Sequence, residues 1–291
     1  MAGGLLALWP GMTGCDKLGL GDGGGSPTGP SGPPAAGSTI RYAAVGASDV
    51  TGIGSSAPCL LLDCPDGKGY VAVAARDLRA LGFTVPVSNL GIPTAVVSRR
   101  FQDLGNQYGH TVLGNFIDQE VPFIPGGTTL VTIFAGGNDL NVITAALGGG
   151  AGGANSQAYI DQQVRAFGED YATLLSGIRA RAGSGRIIAL NLPNLAALPF
   201  LAGASLAQRQ AAQRIAVGMT TTVVNPLVSQ SVIVIDLMCD ARMYQAATYS
   251  SDGFHPSDAG YAIMAGEVVR ATTSSAYPQP QSSCAPMTTV P

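Results

Sequence analysis

The chain is short of charge, of histidine and of long apolar runs. Asp, Glu, Lys and Arg make up 11% of its 291 residues, with a formal net charge of −3 and no basic run. That balance excludes a nucleic-acid partner held by phosphate contacts. No apolar run approaches the roughly 18 residues of a membrane-spanning helix. There are two histidines, His110 and His255, far apart, and no C-x-x-C pair among five cysteines, so a structural zinc site is excluded. None of the glycine-rich stretches ends in Gly-Lys-Ser/Thr, which removes a phosphate-binding loop.

What is present suits a well-filled core. Hydrophobic residues account for 46% of the chain, despite 40 glycines. Residues 1–15 read as a leader: Leu5-Leu6-Ala7-Leu8-Trp9 is a short apolar core, and Met12-Thr13-Gly14-Cys15 is similar to a bacterial lipobox in which Cys15 takes the lipid. Met12 stands where leucine is usual, and no basic residue precedes Lys17. Residues 16–38, rich in Gly, Pro and Ser, have almost nothing to bury and read as a flexible linker. Residues 39–291 are then expected to be one domain. Export predicts an oxidising compartment, periplasmic, extracellular or on a membrane-anchored lipoprotein. Setting Cys15 aside leaves Cys59, Cys64, Cys239 and Cys284, which allow three pairings. The favoured one joins Cys59 to Cys64 in a small loop and Cys239 to Cys284 across the C-terminal tail.

Strand and helix patterns alternate. Buried strands are expected at 40–46, 84–87, 129–134, 186–190 and 232–235. Helical spacing covers 70–81, a stripe from Tyr159 to Ile178, about 205–224, and a last helix starting near Pro256. Residues 272–291 read as irregular, and 140–156 and 192–203 as apolar loops. The alternation predicts a three-layer α/β/α fold with a five-stranded parallel, flavodoxin-like sheet in the order 2-1-3-4-5. Ligands in such sheets bind at the strands' carboxyl ends.

Four segments fall at that edge. Ser48 follows the first strand, Asn89–Thr94 the second, and Asn138 the third; Asp252-Gly253-Phe254-His255 precedes the last helix. An unperturbed imidazole titrates near about pH 6.5 and can take and return a proton. A carboxylate three residues upstream can fix its tautomer, and Ser48 is the nucleophile it could serve. Singly, each has a plainer reading: Ser48 and Asp252 as caps, Asn138 as a turn residue, His255 as a solvated side chain. Asp236, Asp240 and His110 read as structural or surface residues. The α/β-hydrolase elbow Gly-x-Ser-x-Gly is excluded because Val50 stands at the second glycine.

Together, Gly46-Ala47-Ser48-Asp49, Asn89-Leu90-Gly91-Ile92, Gly136-Gly137-Asn138-Asp139 and Asp252-Gly253-Phe254-His255 resemble the sequence blocks of the SGNH hydrolases, the GDSL-type esterases and lipases. The resemblance covers most of residues 40–271. It implies a Ser48–His255–Asp252 triad acting on carboxylic esters through an acyl-enzyme, with no cofactor and no metal. The oxyanion would be held by the Ser48 N–H, the Asn138 amide and a backbone N–H near Thr94. Two positions depart from the family: Ala47 replaces its aspartate and Thr94 its oxyanion glycine. Threonine resists positive φ, so Gly91 is an alternative donor. The substrate would be a small-molecule, lipid or glycan ester. The alternative reading, motivated by Ala47 and Thr94, is a non-catalytic cell-surface binding domain on the same fold.

Overall fold

The computed structural model describes residues 32–60, 63–288 and 290. The leader-like segment with Cys15, and the linker as far as residue 31, lie outside the described residues.

Five strands form one parallel sheet: β1 (Tyr42–Gly46), β2 (Val87–Asn89), β3 (Leu130–Phe134), β4 (Arg186–Leu190) and β5 (Ile233–Ile235). Their order is β2-β1-β3-β4-β5, as the alternation predicts. Tyr42 lies in register with Val87 on one side and Leu130 on the other. The strands read as unbroken apolar runs because both faces are covered. Successive side chains feed two cores. Ala43, Val45, Val131 and Ile133 enter one, while Tyr42, Ala44, Leu130 and Ile188 enter the other.

The helices are α1 (Ser48–Thr51), α2 (Tyr70–Ala80), α3 (Arg99–Gln107), α4 (Phe116–Gln119) and α5 (Gly137–Gly148). They continue with α6 (Ser156–Ala182), α7 (Leu206–Met219), α8 (Asp258–Thr273) and α9 (Ala285–Thr288). Phe101 of α3, Val142 and Ile143 of α5, Phe167 and Leu174 of α6 and Ile215 of α7 fill the first core. Leu78 of α2 and Tyr261, Met264 and Val268 of α8 fill the second. The Tyr159–Ile178 stripe is thus core packing. Among the described residues no helix is long and apolar enough to cross a membrane.

Four boundaries differ from the sequence reading. The second strand pairs at 87–89 rather than 84–87, because Pro86 has no N–H to give the ladder; its carbonyl instead accepts from the Tyr42 N–H at 3.0 Å. Most of the supposed loop at 140–156 is helix, since α5 runs from Gly137 to Gly148. The last helix opens at Asp258, capped by the Ser257 hydroxyl, and Pro256 sits before it, bridged to Tyr249. The tail read as irregular holds the end of α8 and all of α9. Disulfides join Cys59 to Cys64 and Cys239 to Cys284, the favoured pairs. They fit a periplasmic or extracellular location.

Candidate active site

The turn after β1 places the serine. Gly46 has φ 152°, and a Cβ there would lie 2.6 Å from the Phe134 carbonyl oxygen and from Val50 Cγ2. Only glycine tolerates that approach. The chain therefore reverses sharply, and Ser48 becomes the first residue of α1.

A separate turn, 207 residues away in sequence, brings the base. His255 Nε2 lies 2.8 Å from Ser48 Oγ, and His255 Nδ1 lies 2.6 Å from Asp252 Oδ2. The other carboxylate oxygen accepts from the Ser250 hydroxyl at 2.8 Å and from the Phe254 and His255 N–H groups at 2.9 Å. Burial works against ionising Asp252, but the His255 ring and these donors outweigh it and hold the carboxyl at about 2. It is a carboxylate throughout the range in which a histidine base operates. The Phe254 ring stands edge-on against His255, centroids 5.0 Å apart.

The opposite wall comes from α5 and the loop after β2. Asn138 is half-buried, and one of its amide protons is held by the Ala95 carbonyl at 3.0 Å. That leaves the second proton without an acceptor among the described residues, on a side chain that lines the cavity. Thr94 adopts φ 65°, the conformation that threonine resists. Its hydroxyl accepts from the Leu113 N–H at 2.9 Å, which helps to hold the turn. No described residue accepts its backbone N–H. Gly91 does not replace it: its N–H is taken by Asn89 Oδ1 at 3.1 Å, and a Cβ there would come within 2.9 Å of the Ala47 carbonyl oxygen. Gly91 is a packing residue.

Two buried acids support this wall and were not read as site residues. Glu120 Oε2 accepts from the Gly46 N–H at 2.8 Å, two residues before the serine. Burial drives its carboxyl well above the usual range, against the pull of that donor. Asp139 Oδ1 accepts from the Val97 N–H at 2.9 Å, and burial raises its carboxyl to about 7. Asp49 lines the cavity behind Ser48, with Met243, Tyr249 and Met264, and burial raises it too, opposed by His255. The motif positions could have suggested Asp139; nothing in the local sequence marks Glu120.

The residues read as structural are so. Asp236 accepts from Asn191 Nδ2 and from the Cys239 and Gln281 N–H groups, and Asp240 pairs with Arg242. His110 is absent from the lining of the cavity behind Ser48 and lies on the wall of a groove between α5 and α7.

Known proteins bear on the family and the fold. The sequence profile of the GDSL-like Lipase/Acylhydrolase family matches residues 44–263. The chain belongs to this family. It is a carboxylic ester hydrolase, and the GDSL-like fold is shared with solved structures. A lipase from a goat rumen metagenome is 18% identical with a TM-score of 0.56, covering 80% of this chain and 98% of its own. An extracellular lipase from Streptomyces rimosus is 17% identical (TM-score 0.52, 76% and 94% covered). A phospholipase A1 from Streptomyces albidoflavus is 21% identical (TM-score 0.50, 83% and 100% covered). No curated protein matches the chain in sequence. At these identities the structures speak to the fold, and the chemistry of this GDSL-like hydrolase rests on its own residues.

Proposed function

We propose that this hydrolase cleaves carboxylic esters with Ser48 as nucleophile, His255 as general base and acid, and Asp252 as the group that orients His255. The observation that carries the reading is the unbroken chain Ser48 Oγ–His255 Nε2, His255 Nδ1–Asp252 Oδ2, at 2.8 and 2.6 Å. Ser48 Oγ attacks the ester carbonyl as its proton passes to Nε2. The imidazolium is stabilised by the Asp252 carboxylate and then gives that proton to the departing alkoxide. The acyl group stays on Ser48. Water enters, His255 takes one of its protons, and the hydroxide equivalent attacks the acyl carbon. The acid leaves as the Ser48 oxygen is reprotonated.

Each tetrahedral intermediate carries an oxyanion. Its donors are the Ser48 N–H, the free proton of the Asn138 amide and the Thr94 N–H, of which the last has no competing acceptor among the described residues. The substrate is a hydrophobic ester: the cavity beside Ser48 is walled by Ala47, Ala95, Leu192, Leu195 and Phe254. The lipase and phospholipase titles of the similar structures agree with that chemistry. We place the enzyme outside the cytoplasm, delivered by the leader-like segment and either secreted or anchored by a lipid on Cys15.

Hydrolysis of p-nitrophenyl esters by wild type and Ser48→Ala tests the reading. Turnover is expected in wild type and a fall of at least about 10⁴-fold in the variant, as for loss of a triad nucleophile. Equal turnover by a folded Ser48→Ala protein would reject Ser48.

A further inference from the structure

The cavity that flanks Ser48, lined by its neighbours Ala47 and Asp49, holds about 540 Å³ with the solvent at its mouth. A second, open depression of about 1420 Å³ lies between α5 and α7. The two are neighbours along the same two stretches of chain. On α5, Gly137 and Asn138 line the cavity, while Leu140, Thr144 and Leu147 line the groove. On the loop after β4, Leu195 and Leu198 line the cavity, while Phe200 and Leu201 line the groove.

Phe200 marks the junction. Its N–H donates to the Gly253 carbonyl at 3.1 Å, its ring packs on Phe254 at 5.0 Å, and Phe254 packs on His255 at the same spacing. A row of rings thus leads from the imidazole to the groove. Phe200 nonetheless keeps 41% of its surface exposed. Across the groove, α7 presents the small residues Ala207 and Ala211. No Asp, Glu, Lys or Arg lines it. Its one titratable group is His110, whose burial favours the neutral ring. Asn141, Thr144, Ser156 and Gln208 add neutral polar groups to a lining that is otherwise mainly apolar, so the trough suits a hydrocarbon chain better than a charged headgroup.

We infer that the α5–α7 groove holds the distal part of a long acyl chain, making this enzyme a hydrolase of long-chain acyl esters. The inference rests on the Ser48 mechanism and adds the substrate class to it. The acyl chain, rather than the alcohol, is the occupant. The helix that carries Asn138, and so fixes the acyl oxygen, also supplies one wall. The acyl group moreover stays bound through both chemical steps, whereas the alcohol must leave past His255 before water enters. Each methylene kept from water is worth about fourfold in binding, so losing two or more costs over about tenfold.

The test is to fill the groove from either wall, with Ala145→Trp on α5 and Ala211→Trp on α7 as separate variants. For each, kcat/KM is measured on p-nitrophenyl acetate, p-nitrophenyl palmitate and hexadecyl acetate. Melting temperature and fluorophosphonate labelling of Ser48 show that fold and nucleophile are intact. Palmitate turnover should fall more than about tenfold in both variants, while acetate and hexadecyl acetate stay within about threefold. Unchanged palmitate turnover, an equal fall on all three esters, or a fall confined to hexadecyl acetate would overturn the assignment. Failure of the mechanism itself looks different: Ser48 would not label even in wild type.

Discussion

The acids on the two sides of Ser48 are pushed in opposite directions. Asp252 is half-exposed and receives four hydrogen bonds from residues 250–255, so it stays ionised down to about 2. Glu120 and Asp139 are fully buried, each has one oxygen without a partner, and both are raised. The first side is a local device: a six-residue turn makes its own carboxylate and presents it to the base. The second is assembled from segments far apart, and its acids accept backbone N–H groups of those segments. On the proposed mechanism, charge is kept where the imidazolium would form and withheld where the oxyanion would form.

Six substitutions and one pH series can break or sharpen that contrast. The largest effect is expected from Asp252→Asn. The amide oxygen can keep the backbone N–H bonds, but its NH₂ would face Nδ1 and favour the wrong tautomer, so kcat/KM should fall about 10³–10⁴-fold. A loss below tenfold would mean that Asp252 does not orient His255. On the other wall, Asn138→Ala should lower kcat about 10²–10³-fold with little change in KM, as for one oxyanion donor. An effect on KM alone would make Asn138 a ground-state contact.

Glu120 separates charge from hydrogen bonding. Glu120→Ala strands the Gly46 N–H and should cost about 1–3 kcal/mol in denaturant unfolding. Glu120→Gln keeps an acceptor without charge and should stay near wild type at neutral pH. If glutamine proved as damaging as alanine, the carboxylate form would be the one required.

The pH dependence of stability follows from the same contrast. Asp139 is raised from 3.8 to about 7, so between those values the folded protein holds a proton that the unfolded chain has released. Its contribution to stability therefore declines as pH rises from about 4 to about 7 and is level above. Asp252 runs the other way: its contribution is present above about 4 and is lost as pH falls towards about 2. Unfolding measured across this range should show both slopes, and Asp139→Asn should make the upper one shallower, with Glu120 and Asp49, which burial also raises, supplying the rest. The smallest effect is expected at Thr94. On the proposed mechanism only its backbone N–H serves the oxyanion, so Thr94→Gly should change kcat by less than about threefold, with the strain of positive φ relieved.

The same division decides what could be read from the sequence. Ser48, Asp252 and His255 can be singled out because short blocks carry them, a serine after a strand and a carboxylate three residues before a histidine, and because the blocks together resemble those of the SGNH hydrolases. Strand order is legible because apolar strands alternate with amphipathic stretches. Glu120 is not, since its role depends on a contact with Gly46 across 74 residues, and Ile117-Asp118-Gln119-Glu120 looks like any polar turn. Residues 140–148 are rich in apolar side chains on every face, so no periodicity separates the end of α5 from a loop. At Thr94 propensity pointed the wrong way: tertiary contacts hold φ at 65° against the preference of a β-branched residue.

The central claim is that His255 and Asp252 activate Ser48. It is tested most directly by fluorophosphonate labelling followed by mass spectrometry of the modified peptide, on wild type and on His255→Ala. Modification of Ser48 alone in wild type, with labelling slowed at least about a hundredfold in the folded variant, is the predicted result. Labelling at another serine, or at Ser48 with equal speed without His255, would contradict it.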